Sequence, residues 1–103
     1  MKMKLFKSLS EEDFRNKILK DFYAETQDGF NHLADEINAR ICSQFRIHIN
    51  YNHQIENVTI VIWYFGYTTR FFCRCFLHEN MRKTFNQILN VLTAFASGIS
   101  YDC

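Results

Sequence analysis

The chain has 103 residues, 48% of them apolar and 22% charged, and its twelve basic and eleven acidic side chains leave a net charge of +1. This length suits a single domain, residues 1–103, built on one hydrophobic core. The charge balance excludes a polyanion that mimics DNA and argues against a strongly basic nucleic-acid binder.

No apolar run approaches the roughly 20 residues that cross a bilayer. The opening stretch MKMKLFKSLSEEDF is basic but has neither the apolar segment nor the small-residue cleavage site of a secretory signal. The four cysteines are therefore expected to be reduced thiols, and the expected location is cytoplasmic. Aromatic residues reach 17%, eleven of them Phe, which predicts a dense core with some aromatic surface left for an interface. Proline is absent and glycine occurs only at 29, 66 and 98, so these three positions mark turns or caps.

A first helix is predicted from Ser10, which can cap the first-turn amides while Asp13 reaches back to it. Phe14, Ile18 and Phe22 then share one face. Asp28 and Gly29 interrupt the pattern, as a kink or as a turn in which Asp28 caps the next helix. That second helix carries Phe30, Leu33, Ala34, Ile37, Ile41 and Phe45 at helical spacing, with Asn31, Asp35, Asn38 and Gln44 on a face suited to water.

Period two begins at Arg46: Ile47, Ile49 and Tyr51 alternate with His48, Asn50 and Asn52, which predicts a strand with one dry face. Residues 58–65 are apolar at both parities and predict a central strand covered on both sides. A turn at Gly66 leads to a third strand over 69–77, with Phe71, Cys73, Cys75 and Leu77 on one face and Arg70, Phe72, Arg74 and Phe76 on the other. A last helix begins near Glu79 or Asn80, buries Met81, Phe85, Ile88, Leu92 and Phe95, and ends at Gly98 in a left-handed cap. The fold expected is α+β: two N-terminal helices, a three-stranded antiparallel meander in the order 1-2-3, and one C-terminal helix.

The spacing Cys73-x-Cys75-x-x-His78 invites a metal reading. On a strand the two cysteines share a face with their Cβ atoms roughly 7 Å apart, and no turn curls both sulfurs toward one ion. They read instead as small core residues. No Gly-rich phosphate loop, zinc-protease helix motif or nucleophile elbow occurs, and Glu11, Glu12 and Asp13 are explained by a helix first turn. The chain is therefore expected to be no enzyme and to need no cofactor or metal.

If the helices cover one sheet face, the other displays Trp63, Phe65, Phe72, Arg74 and Phe76, residue types enriched at interfaces. The competing reading has residues 1–6 or the first helix folded over that face. The expected function is a non-enzymatic protein-binding module, a small stoichiometric inhibitor or adaptor. By analogy of size and style alone, phage anti-defence proteins such as anti-CRISPR proteins, and toxin-immunity proteins, are of this kind. A second copy of the chain is an alternative occupant, giving a homodimer. The second reading is a nucleic-acid-binding accessory protein using the same aromatic and arginine face, and the third a cryptic Cys/His metal protein or enzyme.

Overall fold

The computed structural model describes residue 16 and residues 26–64, 66–74 and 81–98. Within them lie two helices and three strands: α1 (Gln27–Asn38), β1 (Phe45–Asn52), β2 (Asn57–Tyr64), β3 (Tyr67–Arg74) and α2 (Met81–Ser97). The α+β class and the meander in the order β1-β2-β3 agree with the sequence pattern. The predicted first helix falls outside the described residues apart from Asn16, which is helical and exposed.

Helix α1 starts two residues earlier than the Asp28–Gly29 signal implied. Thr26 is extended and its Oγ1 accepts from the Gly29 amide at 3.4 Å, so Thr26 is the cap and Asp28 sits in the first turn. The helix also stops earlier, at Asn38, although the apolar spacing runs on to Phe45. Ile41 and Phe45 are fully buried in the same core without being helical. Periodicity reported their burial correctly and their conformation wrongly.

Phe30, Leu33, Ala34 and Ile37 form the buried stripe of α1, and Phe85, Ile88, Leu89, Leu92 and Ala96 that of α2. Both stripes join Ile47 and Ile49 of β1, Val58, Ile60 and Ile62 of β2, and Cys73 of β3 in one core. The two described helices therefore cover a single sheet face, as the alternation in β1 predicts. An aromatic cluster ties α2 to both outer strands. Phe45 stacks on Tyr64 at 4.9 Å, while Phe95 meets Phe45 edge-on at 6.4 Å and Phe71 at 5.9 Å. Each such pair adds about 0.5–1.5 kcal/mol beyond its burial.

The end of α2 departs from expectation. Gly98 is not left-handed; its amide bonds the Phe95 carbonyl at 3.2 Å, and Ser97 Oγ donates to the Ala94 carbonyl at 2.9 Å. A tightened last turn satisfies those carbonyls, so no left-handed residue is required. Gly66 does adopt φ +81, in the two-residue turn set by the Tyr64–Tyr67 pairing.

Strand β1 is an edge, and α1 closes it with two side-chain amides. Asn38 Nδ2 donates to the Ile47 carbonyl at 2.9 Å and its Oδ1 accepts from the Ile47 amide at 2.8 Å. Gln27 Nε2 donates to the Ile49 carbonyl at 2.6 Å and its Oε1 accepts from the Tyr51 amide at 2.7 Å. Asn38, expected to face water, is thus half-buried against the strand. These contacts also fix which way each backbone group points. Residues 47, 49 and 51 point away from β2, so 46, 48, 50 and 52 bond it; β2 in turn bonds β3 through 67, 69, 71 and 73. The amides and carbonyls of Thr68, Arg70 and Phe72 therefore point outward along the far edge.

Asn38→Ala strips both partners from Ile47 and is expected to cost about 1–3 kcal/mol, read from urea unfolding. Asp35→Ala, on the exposed side of the same helix, is the control and should change stability by no more than about 0.5 kcal/mol. Equal effects from the two variants would show that the amide closure contributes nothing.

Candidate interaction surface

The sheet face opposite the helices carries twelve residues in rows set by the strand register. Arg46, Trp63 and Thr68 form one row; His48, Val61 and Arg70 the next; then Asn50, Thr59 and Phe72; then Asn52, Asn57 and Arg74. None of the twelve is acidic. The described carboxylates, Asp28, Asp35, Glu36 and Glu56, lie on α1 and in the β1–β2 loop. Among the described residues no carboxylate therefore lies on this sheet face. Arg46 bends out of its row: its Nη1 donates to the Asn38 carbonyl at 3.3 Å and to the Phe45 carbonyl at 2.8 Å, which places its charge at the C-terminal end of α1.

Of the five residues expected to form a partner surface, Trp63 is 48% exposed, Phe72 is 73% exposed and Arg74 is exposed. Phe65 and Phe76 lie outside the described residues. The two described aromatics do not touch the same row. Four residues along the strand and one strand across separate them by roughly 14 Å between Cα atoms, with Val61 and Arg70 between. Val61 is only 6% exposed although it belongs to this face. Its place in the central strand, between His48 and Arg70, puts it at the floor of the surface rather than on top. Arg70, not singled out among the expected contacts, is exposed at the centre of the patch.

The cysteine motif separates. Cys73 faces the helices, is 7% exposed and belongs to the core; burial raises its thiol above the ordinary value of 9.0. Cys42 is buried too. Cys75 and His78 lie outside the described residues. Among the described residues no three His, Cys, Asp or Glu side chains group closely enough to hold a metal ion. No described helix is long and apolar enough to cross a membrane. Comparison with protein-family models, with curated proteins and with solved structures found no match for the chain.

The Cys73 shift has a definite sign. A thiol whose folded value is raised contributes stability that is complete below its unfolded value and is lost as pH rises through the folded one. The chain should therefore weaken as pH climbs above about 9, and the Cys73→Ala variant should weaken less over the same range. Urea midpoints at pH 8 and pH 10 test this; parallel losses in the two proteins would refute it.

Proposed function

We propose that the protein is a non-enzymatic binding module whose outer sheet face, with Trp63, Phe72 and Arg74 in it, contacts a protein partner. The observation that carries this reading is Phe72, a large aromatic 73% exposed on a face that neither described helix covers. Such a side chain, on a face where Trp63 is exposed as well, offers a partner apolar area to bury. Arg70 beside it supplies charge and a flat guanidinium, which with aromatics is the composition of an interface centre. The finer reading is a stoichiometric inhibitor or adaptor, of the kind phages direct against host defence, anti-CRISPR proteins among them, or of the toxin-immunity kind.

A nucleic-acid reading has one observation in its favour, the acid-free face with Arg70 and Arg74. Against it stands the spacing. Successive unstacked bases need neighbouring aromatic platforms, and Trp63 and Phe72 are two rows apart.

The test is capture from an extract of the cells that carry the protein, treated with nuclease, with wild type and Phe72→Asp side by side. Wild type is expected to retain one protein at near-equal amount. Phe72→Asp should lose it while costing about 1 kcal/mol or less in stability, since the site is solvated. Loss of the bound species on nuclease treatment would transfer the function to nucleic acid. A loss of several kcal/mol in Phe72→Asp would return Phe72 to the core.

A further inference from the structure

The two edges of the sheet are treated in opposite ways. Along β1 the outward groups of Ile47, Ile49 and Tyr51 meet the amides of Gln27 and Asn38. Along β3 the outward groups of Thr68, Arg70 and Phe72 meet no described element, and all three side chains are exposed. An edge of this kind, with alternating donors and acceptors about 7 Å apart along the strand, is a template for one more strand.

Charge selects the occupant. A second copy pairing through its own β3 must be antiparallel and two-fold symmetric. Of the two-fold registers with their axis between Thr68 and Phe72, the one with Thr68 opposite itself pairs only the end beside the Gly66 turn, and the others put Arg70 opposite itself, diagonal to itself, or opposite Arg74 of the other copy. Each of these others sets like charges face to face or on the diagonal, which opposes pairing. An added strand with a carboxylate against Arg70 and an apolar side chain against Phe72 reverses that sign. Single-stranded nucleic acid supplies the negative charge but no alternating backbone donors and acceptors to complete the ladder.

We infer that the β3 edge, residues 68–72, docks an extended acidic segment of a partner protein, which adds a fourth strand to the sheet. The segment alternates an acidic residue facing Arg70 with an apolar residue facing Phe72. This deepens the proposed protein-binding reading and rests on it: the face supplies side-chain contacts and the edge supplies the hydrogen bonds that order the partner.

The experiment uses a capped heptapeptide of threonine with glutamate at its second and sixth positions and valine at its fourth, a pattern that reads the same in either strand direction. Its control has lysine in place of glutamate. Amide hydrogen exchange is followed by NMR on the full chain. With the acidic peptide at about ten times its Kd, exchange at the Arg70 and Phe72 amides should slow about tenfold, the fraction of unbound protein setting the limit. The lysine peptide should leave both rates unchanged. Arg70→Glu should exchange these preferences. Thr68→Pro removes one outward amide and no bond to β2, a change that edge strands accept, and should weaken the acidic peptide at least about tenfold, the loss of one charge-independent ladder contact and its neighbours.

Four outcomes would overturn the inference. No protection from the acidic peptide at millimolar concentration is the first. Binding that survives Thr68→Pro but fails in Trp63→Ala is the second; it leaves the face as a protein contact and removes only strand addition. Protection of the same amides in the unliganded protein, rising with its own concentration and accompanied by a doubled mass, makes a second copy the occupant. Binding of an oligothymidylate that excludes the peptide removes the inference and the protein-binding reading together.

Discussion

The architecture depends on how α1 is held against an edge strand. A helix can cover a sheet face through apolar contacts alone, but those contacts slide. Gln27 at the first turn and Asn38 at the last grip the backbone of β1 at Ile49, Tyr51 and Ile47. The eleven residue steps from Gln27 to Asn38 rise roughly 16 Å along a helix, while the strand from 47 to 51 rises roughly 13 Å. The lengths of the two side chains take up the difference. Helix and strand therefore run antiparallel in one register, and that register decides which core pockets Phe30, Leu33 and Ile37 fill. Side-chain amides suit this task because each carries a donor and an acceptor, the same pair that a neighbouring strand would offer.

The closed edge has a consequence for the other helix. Once α1 is fixed along β1, the remaining inner surface lies under β2 and β3, and α2 occupies it. Phe95 reaches from α2 to Phe45 at one end of β1 and to Phe71 on β3, bridging the sheet across its width. The core is thereby closed on one face with two described helices. Among the described residues nothing similar covers Phe72, whose parity places it on the opposite side from Phe71.

Element types and strand order were legible in the sequence because they rest on periodicity. The alternation in residues 46–52, the two-sided apolar run in β2 and the stripe Phe85, Ile88, Leu92 leave few other foldings. The face that carries Trp63 and Phe72 was legible for the same reason, since a period of two assigns faces once the helical side is known; their exposure was not, because a cover from residues 1–6 or the first helix was an open alternative. What failed were boundaries and polar roles. Ile41 and Phe45 fit a helical stripe by spacing, yet a turn at residues 39–40 delivers them to the same core by another path. Asn38 read as a water-facing residue because no local pattern distinguishes an amide that meets solvent from one that meets a strand nine residues on. Gly98 was read as a left-handed cap, although a tightened turn can end a helix without one. Gln27 carried no signal, since its partners are 22 and 24 residues away.

The asymmetry between the two edges bears on what an arginine at position 70 is for. A charged residue on a sheet edge is a common defence against unwanted pairing, and Arg70 stands at such an edge. The defence is selective by sign, however. An arginine repels a basic or identical strand and attracts an acidic one, so under the inferred strand addition the residue that opposes self-pairing is also the one that selects the added strand. The acid-free character of the whole outer face extends this from one pair to the surface. With carboxylates confined, among the described residues, to α1 and the β1–β2 loop, an acidic segment on the outer face meets Arg70 and Arg74 and no described carboxylate. Exposed aromatics then add contact energy without adding a preference of sign. On this argument Phe72 supplies strength, Arg70 supplies choice, and the closure of β1 by Gln27 and Asn38 leaves β3 as the edge that no described element closes.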